Sequence, residues 1–330
     1  MRKKIYFLLI LCGLLVLLFN INKMFKNRDY VVIDSPYKNN LQNFTNYTGE
    51  GVKIGILDTG IDYNHDDLNV KGGVSVDGNK NEYIDENGHG TNVAGVIGAL
   101  NRNKNIYGIA PKSELYSIKA LDKNGDGSNK EIIEGVKWAI YHNIDILNMS
   151  ISSNLYSKDV YNILKEADKA GIFVVAPAGN SGYSSKSNIS YPAKFDTVMS
   201  VGSVNKQFQR SFFSNVGKEL DIMAPGEDIL TTGRNNNYTK ESGTSMAAPY
   251  ISGIAAVLLS IDPGLTNKDI ETILKSSALK LGKEYEYGKG LVNLNRAINL
   301  TLLRNQNIEL YNLLINKQYV LKQGLYIKYI

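Results

Sequence analysis

The sequence predicts an α/β fold built on a mostly parallel sheet, and three observations predict it. Short, mostly apolar runs at 52–57 and 172–176 alternate with segments of helical patterning. Asp58 and Asn180 stand at the carboxyl ends of two such runs, where open α/β sheets place their chemistry. The 330 residues suffice for one large domain plus extras, without internal repeats or low-complexity tracts.

Taken in order, residues 52–60 read as a buried strand that ends in Asp58-Thr59-Gly60. A helix near 91–100 follows Gly88-His89-Gly90-Thr91, marked by Val93, Ala94, Val96 and Ile97. Strand 115–121, helix 130–142, strand 144–151, helix 158–170, strand 172–177 and strand 197–204 continue the alternation. Ile251, Ile254, Ala255 and Leu258 recur at helical spacing and place a buried helix after Ser245. A further helix falls near 267–276.

Gly243-Thr244-Ser245-Met246-Ala247-Ala248-Pro249 delivers a serine to the mouth of that buried helix. Small neighbours leave room for another chain, and free N–H groups at a helix start suit a developing anion. Ser245 is therefore either a nucleophile or an ordinary N-cap. His89, held between two glycines, is accessible and closely approachable; His65 and His142 have no glycine flanks and read as structural. Asp58, His89 and Ser245 occur in the chain order of one of the convergent catalytic triads. Asp-Thr-Gly also occurs in aspartic proteases, but those need a second such aspartate, and the chain has none.

These motifs, with Asp58-Thr59-Gly60-Ile61-Asp62, Asn148-Met149-Ser150 and Ala178-Gly179-Asn180, resemble the subtilisin-like serine proteases from about residue 30 to about 298. The resemblance implies a three-layer α/β fold and a serine endopeptidase. In it Ser245 attacks the scissile carbonyl, His89 carries the proton and Asp58 orients the imidazole. Asn180 and the Ser245 backbone N–H hold the oxyanion, although Gly-Asn-Ser-Gly is also ordinary turn chemistry. A non-catalytic peptide-binding protein is the competing reading, opposed by the intact residue set. Gly125, Asp126 and Gly127 match the edge on which an extended peptide adds as a strand. Ser150, Ile151, Ser152 and Ser153 match the opposite wall of the primary pocket, with Ser152-Ser153 where many relatives carry Gly-Gly. Ser181 and Ser190 fall near the pocket rim and base, and neither is acidic, so a preference for Arg or Lys there is not expected.

The chemistry calls for no cofactor; structural Ca²⁺ is the one candidate ion. Asp67 matches a family ligand, yet Arg102 stands where the family usually has an Asn. Asp77, Asn79 and Asn81, with Asp85 nearby, form an oxygen-rich loop that reads as a cation site or a solvated turn. Asp122-Lys123-Asn124-Gly125-Asp126-Gly127 begins like an EF-hand, but Ile133 occupies the twelfth position.

The net charge of +5 resides wholly in residues 1–29, which hold six basic residues and one acidic one, so nucleic-acid binding is not indicated. Residues 5–22 are uncharged, at the short end of the roughly 17–25 needed to span a bilayer. They lack an Ala-x-Ala cut site, which favours an uncleaved signal-anchor over a cleaved signal. The expected division is an anchor at 1–28, a peptidase domain at 29–300 with an arm at 29–50, and a tail at 301–330. The expected partners are a peptide or protein substrate and the membrane, with a monomeric domain outside the cell membrane. The interval before Asp58 is too short for a family propeptide, so folding without a covalent prodomain is expected. Cys12, the sole cysteine, lies in the apolar segment, leaving the domain without disulfides.

Overall fold

The computed structural model describes residues 47–76, 82–102 and 106–316. The anchor, most of the arm, Asp77, Asn79, Asn81 and residues 317–330 lie outside the described residues.

Seven strands form the central sheet: β1 (Lys53–Asp58), β2 (Val70–Ser75), β3 (Glu114–Lys119), β4 (Ile146–Asn148), β5 (Phe173–Pro177), β6 (Val198–Val204) and β7 (Ile222–Pro225). Their order is β2-β3-β1-β4-β5-β6-β7, and every neighbouring pair is parallel. Strands β4 to β7 are buried along their whole length, as a sheet covered on both faces requires. An antiparallel hairpin, β8 (Ile229–Gly233) and β9 (Asn237–Glu241), stands apart from the sheet.

The helices are α1 (His89–Gly98), α2 (Asn129–Tyr141), α3 (Lys158–Lys169), α4 (Thr244–Ile261), α5 (Asn267–Ser277), the single turn α6 (Glu284–Tyr287), α7 (Leu294–Gln306) and α8 (Ile308–Asn316). Successive strand residues point to opposite faces, so β1 sends Ile54 and Ile56 to one core and Leu57 to the other. The first core packs α1, α4, α5 and α7 on one face; the second packs α2 and α3 on the other. This is the expected three-layer α/β arrangement. Among the described residues α4 alone is long and apolar enough to cross a membrane, but it is the buried central helix of the first core.

Most predicted elements appear with ends shifted by a few residues. Strand 144–151 is shorter, at Ile146–Asn148, because the chain turns away after Asn148 to form a wall of the cleft. The division placed at residue 300 falls inside α7, where Leu300 is buried, and Tyr311 of α8 is buried in the same core as α4.

Parallel order reverses at β1: the chain leaves it for β2 and β3 on one side and then adds β4 on the other. A crevice opens at the carboxyl end of such a switch point. Asp58 ends β1, and the loops after β3, β4 and β5 surround the opening.

Candidate active site

Asp58 is fully buried, and one of its oxygens accepts the Thr59 N–H at 2.7 Å. His89 Nδ1 lies 2.8 and 3.0 Å from the two Asp58 oxygens. The imidazole sits between the buried carboxylate and the open cleft, with about a third of its side chain exposed. The negative charge of Asp58 raises the His89 pKa above its ordinary 6.5, against burial; the Asp58 hydrogen bond, Asp85 and Glu241 add to the rise. Glycine at 90 has a steric cause: a Cβ there would lie 2.0 Å from the Gly60 carbonyl oxygen.

The His89 loop is held by Asp85, a carboxylate only 2% exposed. One oxygen accepts from Thr59 Oγ1 at 2.9 Å, Asn87 N at 2.9 Å and Gly88 N at 2.8 Å. The other accepts from Thr91 N at 2.9 Å and Thr91 Oγ1 at 2.6 Å. Asp85 thus satisfies amide donors at the start of α1 that the helix itself leaves unpaired. The oxygen-rich loop that it adjoins, 77–81, lies outside the described residues.

Ser245 is the second residue of α4, and the N-cap is Gly243. The structure therefore excludes the N-cap reading of Ser245. Four residues on, Pro249 has no N–H for the Ser245 carbonyl. Ser150 Oγ donates to that carbonyl instead, at 3.1 Å, and receives Asn148 Nδ2 at 2.8 Å. Asn148 Oδ1 in turn accepts from Ser252 Oγ at 2.9 Å. The wall after β4 is stitched in this way to the helix that bears Ser245.

Asn180 Oδ1 accepts from Thr244 N at 2.9 Å and Thr244 Oγ1 at 2.8 Å. That turns the Nδ2 end of the amide away from Thr244. A Cβ at Gly243 would stand 3.0 Å from Ser245 Oγ and 3.5 Å from Asn180 Nδ2, so the two atoms flank one small space.

His89, Asn180 and Ser245 line a cleft of about 540 Å³, together with Gly125, Asp126, Gly127, Ser150, Ile151, Ser152 and Ser153. Asp122 organises the first edge: its carboxylate accepts from Asn124 N at 2.8 Å and Asp126 N at 3.0 Å. The Asp126 and Asn124 amides also lower the Asp122 pKa. The resemblance of this loop to an EF-hand ends there, because its leading carboxylate serves its own backbone. On the other wall, Ser153 and Tyr191 exchange two backbone hydrogen bonds of 2.8 Å. Ser190 is buried, and neither it nor Ser181 is among the lining residues. The sequence reading missed the apolar lining of Leu121, Ile132, Leu155, Val160 and Phe195.

At Asp67 one oxygen accepts from Arg102 N and the other from Tyr238 OH at 2.6 Å. Each Asp67 oxygen thus accepts one protein donor and keeps lone-pair capacity beyond it. Among the described residues no group of three or more His, Cys, Asp or Glu could hold a metal. His65 bridges Asn237 O and Asp67 N at 3.0 Å each, and His142 stacks on Trp138; both have the structural surroundings expected of them.

The subtilase family model matches residues 49–290. The chain is 46% identical over 253 residues to subtilisin NAT of Bacillus subtilis subsp. natto, covering 76% of this chain and 66% of that one. It is equally identical over 253 residues to the subtilisin of Bacillus pumilus, covering 92% of that protein. Identity to the thermostable alkaline protease of Halalkalibacterium halodurans is 42% over 249 residues, 76% of this chain and 68% of that one.

Proposed function

The chain belongs to the subtilase family, and from that premise we propose that it is a serine endopeptidase acting through Asp58, His89 and Ser245. The observation that carries this reading is the placement of His89, bonded to buried Asp58 behind and open to the cleft of Ser245 in front. Ser245 Oγ attacks the scissile carbonyl as His89 takes its proton; the C–N bond then breaks as His89 returns that proton to the leaving amine. Water attacks the resulting ester by the same proton route and frees the acid. Asp58 fixes the imidazole tautomer and stabilises the imidazolium. The oxyanion lies between Asn180 Nδ2 and the Ser245 N–H, in the small space that both border.

An extended peptide lies between Gly125–Asp126–Gly127 and Ser150–Ser153. The apolar lining favours bulky uncharged side chains. Residues 5–22 tether the domain outside the membrane, and the Ser152-Ser153 departure favours a dedicated peptide- or leader-processing role over broad scavenging. No step passes through Ca²⁺. A serine-reactive fluorophosphonate tests the assignment: the full chain is expected to label covalently and Ser245→Ala to lose both label and about 10⁶-fold in kcat. Undiminished labelling of Ser245→Ala would remove Ser245 from the mechanism. Broad cleavage of a mixed peptide library would remove the dedicated role.

A further inference from the structure

We infer that Asn215 is the positioning residue for the oxyanion donor Asn180, an inference that rests on the function proposed above. Asn215 is fully buried, and its amide is used at both ends. Its Oδ1 accepts from Ser181 N at 2.7 Å and from Asn188 Nδ2 at 3.2 Å. Its Nδ2 donates to Ala178 O at 3.1 Å and to Asn188 O at 2.7 Å, with Ser190 Oγ at 3.4 Å. Its backbone N–H donates to Gly179 O at 3.0 Å.

These bonds reach residues 178, 179 and 181 and leave Asn180 alone. They fix the loop on both sides of the residue whose side chain enters the cleft. The approach is close enough to dictate the neighbour: Gly179 has φ +106°, and a Cβ there would lie 2.3 Å from Asn215 Nδ2. Asn188 extends the clamp, donating to Gly182 O at 2.9 Å and accepting from Val216 N at 2.9 Å. The site requires an amide. A carboxylate lacks the donors for Ala178 O and Asn188 O, and a hydroxyl cannot bond the amide of residue 181 and both carbonyls together. The loop has a front clamp as well, since Thr244 Oγ1 accepts from Gly179 N at 3.2 Å. Asn215 therefore acts only through Asn180, by setting where its Nδ2 stands relative to the forming oxyanion.

Donor placement of this kind enters the transition state and not substrate binding. A double-mutant cycle on the full chain tests it, with kcat expressed per fluorophosphonate-titrated site so that misfolded protein does not count. With an uncharged chromogenic peptide, Asn215→Ala is expected to lower kcat about tenfold with KM within about twofold. Asn215→Ser, which keeps one donor, is expected to lose less and guards against poor folding of the alanine variant. In an Asn180→Ala background, itself about 10²–10³-fold slower, Asn215→Ala is expected to cost less than about twofold more. Unchanged kcat in Asn215→Ala, or an equal loss in both backgrounds, would overturn the inference. A near-normal kcat for Asn180→Ala would instead overturn the oxyanion reading on which the inference rests.

Discussion

Two loops bring their side chains to the same cleft, and they are held by opposite means. The His89 loop is gathered around a buried carboxylate, Asp85, which takes five donors from four residues. The Asn180 loop is gathered around neutral groups, the Asn215 amide behind and Thr244 in front. The difference follows from the charge each side chain must face. In the proposed mechanism His89 becomes a cation, and a nearby anion favours it. In the proposed mechanism Asn180 meets an anion, which a carboxylate behind the loop would oppose. Backbone anchoring and electrostatics are thus solved together by the choice of anchor.

The comparison yields experiments of decreasing expected effect. Asp58→Asn removes the main source of the raised His89 pKa and the orienting acceptor. It should cost about 10⁴-fold in kcat, and the acid limb of kcat/KM should move to lower pH. In the unmodified chain that limb should lie above the ordinary 6.5, since in the proposed mechanism activity rises as His89 loses its proton. Asn215→Asp places a carboxylate in the neutral clamp and should lower kcat about 100-fold, more than Asn215→Ala. A loss no greater than that of Asn215→Ala would show that charge behind Asn180 is immaterial. Asp85→Asn keeps the shape of the other clamp and removes its charge, so the acid limb should move to lower pH; an unmoved limb would make Asp85 purely an anchor. Thr244→Val removes one of the two hydrogen bonds to Asn180 Oδ1 and the acceptor for Gly179 N, and should cost a few-fold in kcat per titrated site.

Much of this architecture was legible in the sequence where chemistry and periodicity coincide. Strand β5 is a continuous apolar run, and Asp58, His89 and Ser245 carry small neighbours that mark close approach. Strand β2 was hidden because a half-exposed edge containing Gly72 and Gly73 has neither apolar continuity nor alternation. The β8–β9 hairpin is polar, although Asn235 and Asn236, at φ 58° and 57°, are residues that tolerate its turn. The role of Asp85 is not legible locally, because an acidic residue beside the Gly- and Asn-rich loop 77–81 fits the neighbourhood of a cation site or a solvated turn as well as a helix-start anchor. Its three-residue spacing to Gly88 was the available signal. Asn215 left none: its side-chain partners lie 25 to 37 residues away, and nothing local distinguishes it from a turn residue.

The burial of Tyr311 beside α4 has a consequence for the order of synthesis. The helix that bears Ser245 is covered on one side by the sheet and on the other by α7, with α8 packed against α7. A nascent chain that has passed Ser245 but not Leu294 holds every catalytic side chain and still has one flank of α4 bare. The support of the cleft is therefore complete only when residues from Leu294 onward have joined the fold.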